Sequence, residues 1–260
     1  MTVVRGALWA SAAAVMGWLG WMSPLSPHAL AEAHRLVQQE RGSAALVHLD
    51  RVARWNPWRD TRIHAATMSA QLLLIEEEAP SLARTRLTGV AEAEQLSAEE
   101  RAAVMASLGH AILDAGGDRA EASSAFLAAY DAARDAAGAS LHLVAAAQAL
   151  EAADEVDRAY QVWERLARRH RDARPRARVA QASILLGRGK VTSARRRYEE
   201  AASLIAPDDP LYTVARLGVA TCLEREGMLQ EAITEMSESG VSPAVLSPRT
   251  EALEERVKGE

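Results

Sequence analysis

The stretch "SLGHAILDAGGDRAEASSAFLAAYDAA" (Ser107–Ala133) contains a spacing of small and large apolar residues that recurs along the whole chain. Within it, Ala122 is followed four residues later by Phe126 and seven residues later by Ala129. Equivalent alanines stand at successive separations of 38, 39, 37, 35 and 38 residues: Ala45, Ala83, Ala122, Ala159, Ala194 and Ala232. A nearly constant period in this range indicates an array of helical repeats.

A larger apolar residue lies four positions after each repeat alanine. These residues are Leu49, Leu87, Phe126, Trp163, Tyr198 and Met236. Such a spacing forms one stripe along a helix, and alanine allows two helices to approach closely where they cross. The chain is 49% hydrophobic but only 4% aromatic, and no segment of the sequence shows sustained two-residue alternation. The sequence therefore predicts an all-α fold of stacked helix pairs without strands.

The pattern resembles the tetratricopeptide repeat, in which a pair of antiparallel helices recurs about every 34 residues. Two further good matches are "ERGSAALVHLDRVARWNP" (Glu40–Pro57) and "LLGRGKVTSARRRYEEAASLIAP" (Leu185–Pro207). The resemblance covers roughly residues 26–246. It implies a right-handed superhelical solenoid of about six helix pairs. The turn before each second helix is expected at Glu40, Glu78, Gly117, Asp154, Gly189 and Gly227.

Sequence signals for helix starts agree with this organisation. Ser26-Pro27 and Asp209-Pro210 each place a capping oxygen before a proline at the first helical position. Ser97 and Glu100 form a capping-box pattern. Helices are therefore expected to begin at these three places.

Residues 247–260 form a polar end segment. It opens with Ser247-Pro248, and its apolar residues Leu253 and Val257 are four apart among charged side chains. A mostly polar terminal helix is how a repeat array is closed against water. We predict a C-terminal capping helix over this segment.

Residues 1–25 form a separate, apolar segment. From Gly6 to Ala31 there is no Asp, Glu, Lys or Arg. As a helix, Ala7 to Leu25 would span about 28 Å, close to the hydrocarbon thickness of a bilayer. This predicts a single transmembrane helix that anchors the chain. A signal peptide cleaved after Ala31 and a buried helix are alternatives.

The orientation of the predicted anchor follows from its few charges. Arg5 and the amino terminus flank one side, so we expect a short cytoplasmic tail and repeats on the periplasmic (extracytoplasmic) side. The only cysteine is Cys222, which excludes an internal disulfide.

Positive charge is concentrated in residues 165–197. This segment carries twelve basic residues and one acid, a net charge of +11, so the rest of a chain with net charge −5 carries −16. One interpretation is an anionic-partner patch of Arg168, Arg169, Arg195, Arg196 and Arg197. The other is a solvated face paired with Glu164, Glu199 and Glu200. No aromatic residues interleave with these arginines, which disfavours nucleic acid as the partner.

Motifs of catalysis and metal binding are missing from the sequence. It contains no HExxH, no glycine-rich phosphate loop and no GxSxG. The seven histidines are dispersed along the chain. We therefore expect a protein that is not an enzyme, with no catalytic residues, no metal site and no cofactor.

A binding surface is the remaining candidate for a functional site. In tetratricopeptide arrays the first helix of each pair lines a concave groove. The corresponding residues here are His34, Gln71, His110, Gln148, Ser183 and Thr221, which are all polar and uncharged. Such a column suits hydrogen bonds to an extended peptide, with selectivity from Val144, Val179 and Leu217, although a merely solvent-facing column is equally consistent. The basic and amide residues with which some family members hold a carboxylate are missing here.

The loop "RWNPWRD" places Trp55 and Trp58 around Pro57. Tryptophan in such a place either packs over the ends of the first two helix pairs or forms an exposed interface hot spot. The sequence leaves both open.

Together these features predict a membrane-tethered scaffold that recruits protein partners in a bacterial envelope assembly. The alternatives are an integral structural subunit of a larger membrane complex and a regulatory repeat subunit of an export or polymerase system.

Overall fold

A computed structural model describes residues 29–75, 79–93, 95–239 and 243–259. These residues form thirteen α-helices and no strand. The chain divides into two compact units, Met1–Ala136 and Ala137–Glu260, and each is described by itself. The helices of the first unit are α1 (Ala29–Gln38), α2 (Gly42–Trp55), α3 (Arg59–Ile75), α4 (Pro80–Ala93), α5 (Ala98–Asp114) and α6 (Arg119–Ala132). Those of the second are α7 (Ala139–Ala152), α8 (Val156–Arg169), α9 (Arg174–Gly187), α10 (Val191–Ala202), α11 (Pro210–Arg225), α12 (Leu229–Ser237) and α13 (Pro243–Gly259).

The predicted helix pairs are present in both units. Each repeat alanine is the fourth residue of the second helix of its pair and is fully buried. The larger apolar residues four positions later are buried as well. The periodicity of the sequence therefore predicted the pairing register correctly.

Five of the turns inside helix pairs share one hydrogen-bonding pattern. A left-handed residue ends the first helix at Glu40, Gly116, Asp154, Gly189 and Gly227. The residue after each donates its N–H to the carbonyl five positions earlier, as from Gly117 to Ile112 at 2.8 Å and from Glu155 to Leu150 at 2.9 Å. This Schellman motif satisfies carbonyls that the helix end leaves unpaired.

The predicted turn residue Gly117 lies in the turn of the third pair, one position after the left-handed residue. Gly116, not Gly117, has the left-handed conformation in the third pair, with φ of +66°. This turn is one residue longer than the others, and the extra residue lets Asp118 cap α6 by accepting the N–H of Ala120 at 2.9 Å. The predicted turn at Glu78 lies outside the described residues.

The other predicted helix starts have mixed outcomes. Ser97 and Glu100 form a reciprocal capping box at the start of α5, with N···O distances of 3.3 and 2.8 Å. Asp209 accepts the N–H of Leu211 at 2.8 Å and caps α11. Both predictions are confirmed, whereas Ser26-Pro27 lies outside the described residues.

The C-terminal helix α13 begins at Pro243, four residues before the predicted start, and Pro248 lies inside it. Leu253 is buried in the core around α11 and α12, and Val257 is exposed. Among the side chains of α13 that the structure describes, from Pro248 to Lys258, Leu253 is buried and the charged residues around it are exposed or half-buried.

The predicted membrane anchor, residues 1–25, lies outside the described residues. Within the described ranges, no helix is both long enough and apolar enough to span a bilayer.

Candidate partner-binding surfaces

In the first unit, the first helices of the three pairs form one layer, because α1 contacts α3 and α3 contacts α5. His34, Gln71 and His110 lie on these helices, and all three side chains are exposed. They occupy equivalent positions, since each follows directly after a small buried residue. The polar column predicted from the sequence is thus exposed across this layer.

The two histidines of this column are held by neighbouring groups. Nδ1 of His34 lies 2.9 Å from the carbonyl oxygen of Leu30, which it reaches as a donor. The ring of His110 meets the ring of Phe126 edge to face, with 4.9 Å between centroids. Because each ring is positioned by packing or hydrogen bonding, its outer edge presents a polar group in a defined place.

In the second unit the column is only partly accessible. Gln148 and Ser183 are exposed, and Ser183 is hydrogen-bonded to Tyr198. Thr221 is half-buried, donates to the carbonyl of Leu217 at 2.8 Å and accepts from Arg249 of α13 at 3.1 Å. Both hydrogen-bonding roles of the Thr221 hydroxyl are therefore taken within the chain, and Thr221 is the weakest candidate of the six.

Exposed apolar side chains accompany the column in the second unit. Leu141 and Val214 lie seven residues, or two helical turns, before Gln148 and Thr221, and both are exposed. Among the predicted apolar neighbours, Val144 is buried, and Val179 and Leu217 are half-buried. Leu141 and Val214 are thus more exposed than the three predicted apolar neighbours, and the polar column alone did not point to them.

The five arginines of the predicted anionic-partner patch have different surroundings. Arg168 pairs with Glu164 at 2.8 Å and Arg197 with Glu200 at 2.9 Å. Arg195 pairs with Glu199 at 3.3 Å and with Glu226 at 3.0 Å. No ion pair among the described residues involves Arg169 or Arg196, and both side chains are exposed. The predicted pairing with acidic neighbours therefore holds for three of the five.

A polar network links α8, α9 and α10 beneath these arginines. Arg178 donates to Glu164 at 2.6 Å and to Glu200 at 2.8 Å, and the buried Gln181 donates to Glu164 at 2.9 Å. Burial by itself raises the pKa of Glu164. Hydrogen bonds from Gln181, Arg168 and Arg178 outweigh burial and lower this pKa to about 2. Both glutamates are thus structural partners of arginines inside the protein.

The loop between α2 and α3 turns both tryptophans outward. Asn56 is buried and accepts the N–H of Trp58 at 3.0 Å, and Arg62 donates to the Asn56 carbonyl at 3.2 Å. Trp55 is 65% exposed and Trp58 is 46% exposed. Both rings are therefore exposed at the surface, and the buried side chain of Asn56 orders the loop.

Among the described residues, no cluster of three or more His, Cys, Asp or Glu side chains could hold a metal ion. The absence of an enzymatic activity stays a prediction.

Searches of protein-family models and of curated proteins returned no match. Solved structures do match. A tetratricopeptide repeat protein from Parabacteroides merdae ATCC 43184 aligns with 80% of this chain over 76% of its own length, with a TM-score of 0.57 and 13% identity. The structure of MamA AMB-1 aligns with 72% of this chain over 97% of its own length, with a TM-score of 0.52 and 16% identity. The fold is that of the tetratricopeptide repeat.

The first helices of this chain contain a second column of small residues, which the spacing of the repeat alanines did not predict. Directly before each polar column residue stands a buried alanine or glycine: Ala33, Ala70, Gly109, Ala147, Ala182 and Ala220. These residues let each first helix approach its neighbours closely. The signal was available in the sequence, because every one of the six polar residues is preceded by Ala or Gly.

Proposed function

We propose that this chain is a protein–protein interaction scaffold that binds an extended peptide along the exposed face of its first helices. The observation that carries the proposal is the column of exposed, uncharged polar side chains on the layer of α1, α3 and α5. Its members are His34, Gln71 and His110.

The chemistry of this column suits a peptide backbone. With Nδ1 of His34 donating to Leu30, Nε2 of the neutral ring is an acceptor at the surface. Gln71 offers both a donor and an acceptor. Neighbouring helices lie about 8–10 Å apart, and residues on one side of an extended chain repeat about every 7 Å. A peptide running across the layer would therefore meet one polar side chain every two to three residues.

The second unit supports selectivity for apolar side chains. Leu141 and Val214 expose apolar surface beside the column, and Arg176 lies at the equivalent position on α9. A peptide with apolar residues gains area-dependent stabilisation at Leu141 and Val214 and hydrogen bonds at Gln148 and Ser183.

Selection from a random displayed peptide library tests this proposal. Peptides enriched on the full chain should lose most of their binding to the double variant Gln71→Ala/His110→Ala. Thr85→Ala/Ser124→Ala is the matched control, because it removes two exposed polar groups from second helices of the same unit. Equal loss in both double variants, or enrichment of no peptide, would contradict the proposed groove.

We further propose that residues 1–25 anchor the chain in a membrane and that the repeats lie on the extracytoplasmic side, as part of a bacterial envelope assembly. The support is the uncharged run from Gly6 to Ala31. Resistance to alkaline carbonate extraction with an intact amino terminus is expected. A soluble mature chain that begins at Glu32 would instead show a cleaved signal peptide.

The alternative role, a structural subunit of a larger membrane complex, is favoured by one observation. Trp55 and Trp58 are exposed on an ordered loop, and tryptophan is enriched at the centres of protein interfaces. A chain that purifies only together with fixed partners would favour this role, and a chain that purifies alone would favour the recruiting scaffold.

A further inference from the structure

A groove of about 430 Å³ lies between α8 and α10, on the second helices of their pairs. Leu185 of α9 and the ring of Tyr160 line it with apolar surface. Lys190, Ser193 and Arg196 line it with donors. This groove is separate from the first-helix face proposed above for peptide binding.

The positive charge of this groove is only partly neutralised inside the protein, because Asp157, whose carboxylate is bound by Arg188, acts on Lys190 from beyond ion-pair distance. Glu200 is its acidic lining residue, and its two oxygens accept from Arg178 at 2.8 Å and from Arg197 at 2.9 Å. Within the part of the chain that the structure describes, neither Lys190 nor Arg196 forms an ion pair. Two cations therefore remain available to an external anion.

The donors stand in a row. Lys190, Ser193 and Arg196 are spaced by three residues, so they lie along one side of α10 over about 9 Å. Arg197 is held in place beside them by Glu200 and by a hydrogen bond with Tyr160. Residues on one side of an extended peptide repeat about every 7 Å, so two acidic side chains separated by one residue match the two free cations.

We infer that this groove binds a short acidic peptide segment of a partner protein, with carboxylates on Lys190 and Arg196 and the intervening side chain on Tyr160 and Leu185. A short segment fits the charge distribution better than a long polyanion. The chain outside residues 165–197 carries a net charge of −16, which repels an anion that extends far beyond the groove. Inside the groove, attraction acts within a Debye length of about 8–10 Å.

Fluorescence anisotropy of the full chain with a labelled six-residue peptide of alternating Glu and Ser tests this inference. Binding is expected at low salt and should weaken steeply as salt rises. Lys190→Ser/Arg196→Ser should weaken it by about tenfold, because two charge contacts of moderate strength are lost. The same peptide with Gln in place of Glu should not bind.

The matched control is Arg101→Ser/Arg171→Ser. It removes the same charge from two exposed arginines that neither line the groove nor belong to the proposed peptide-binding face. Equal weakening in the two double variants would show that overall charge alone attracts the peptide and would overturn the inference. So would binding of the Gln peptide, or stronger binding of anionic phospholipid vesicles than of the Glu peptide. If the first double variant fails to fold, Arg196→Gln alone should still weaken binding several-fold relative to Arg171→Gln.

Discussion

Gly109 of α5 faces the ring of Phe126 of α6 so closely that a Cβ atom on the glycine would lie 2.7 Å from Cε1 of the ring. Gly109 belongs to the column of small residues on the first helices. Phe126 stands four residues after Ala122, which belongs to the column of repeat alanines on the second helices, so the contact connects the two columns. The ring also supports His110, the column residue next to Gly109. Packing of the helix pair and placement of the proposed binding surface thus depend on the same aromatic side chain.

The contact predicts opposite effects of one substitution at two helical glycines. Gly109→Ala should destabilise the fold by about 1–3 kcal/mol, because the ring of Phe126 must shift to admit the methyl group. Gly89→Ala, in α4, meets no atom within 4 Å and should stabilise the fold by about 0.5–1 kcal/mol through helix propensity. Thermal unfolding followed by circular dichroism measures both. A stabilised Gly109→Ala variant would show that the helices are less closely packed than described.

The Schellman turns predict a second pair of opposite effects. Asp154 and Gly189 occupy the same left-handed position in adjacent pairs, with φ of +61° and +71°. Gly189→Ala should destabilise the fold by about 1 kcal/mol, because a Cβ atom is strained in this conformation. Asp154→Gly should relieve the same strain and raise the melting temperature. Unchanged melting temperatures in both variants would contradict the turn geometry.

Acid sensitivity should depend on Glu164. A carboxyl group whose pKa is lower in the folded chain than its ordinary value of 4.5 stabilises the fold fully above pH 4.5. This stabilisation is lost as the pH falls to about 2. Glu164→Gln should therefore flatten the loss of stability in this range. Asp157→Asn is the control: Arg188 binds Asp157 at 2.7 Å, but its side chain is 84% exposed, so solvent screens the pair. Urea titrations at several pH values measure the free energy of unfolding. Its dependence on pH should change more in Glu164→Gln than in Asp157→Asn.

Cys222 offers a direct test of the proposed orientation. This thiol is fully buried, and burial raises its pKa to about 11, so it should resist maleimide reagents in the folded chain. Ser124→Cys adds an exposed thiol on α6. A membrane-impermeant maleimide should label this variant, and not the unmodified chain, in cells whose outer membrane is permeable. Labelling only after lysis of the inner membrane would place the repeats in the cytoplasm.

The exposed tryptophans allow a test of the alternative role as a structural subunit of a larger membrane complex. Trp55→Ala/Trp58→Ala should leave the melting temperature nearly unchanged, because neither ring is buried, but should release any partner bound at this loop. Val47→Ala is the control, since it removes exposed apolar surface from α2 away from the loop. A large drop in melting temperature for the tryptophan variant would indicate that the rings pack on the protein after all.

The sequence by itself determined the helix pairs and their register. Ala159, Trp163 and Leu166 lie on one apolar stripe of their helix. Because this stripe must be buried, it determines which face of the helix packs against its neighbours. The capping box of Ser97 and Glu100 could also be predicted from the sequence, because its hydrogen bonds form between residues three apart in the chain.

Only the tertiary structure decided which polar and charged groups remain available to a partner. Arg195 and Arg196 are neighbours in sequence, yet Arg195 pairs with Glu226 of the next helix pair, and Arg196 pairs with no described residue. In the sequence, Thr221 is equivalent to the other column residues, but in the structure Arg249 of α13 donates a hydrogen bond to its hydroxyl. Helix formation depends on local spacing, whereas these outcomes depend on distances between segments 25 or more residues apart, which no local pattern encodes.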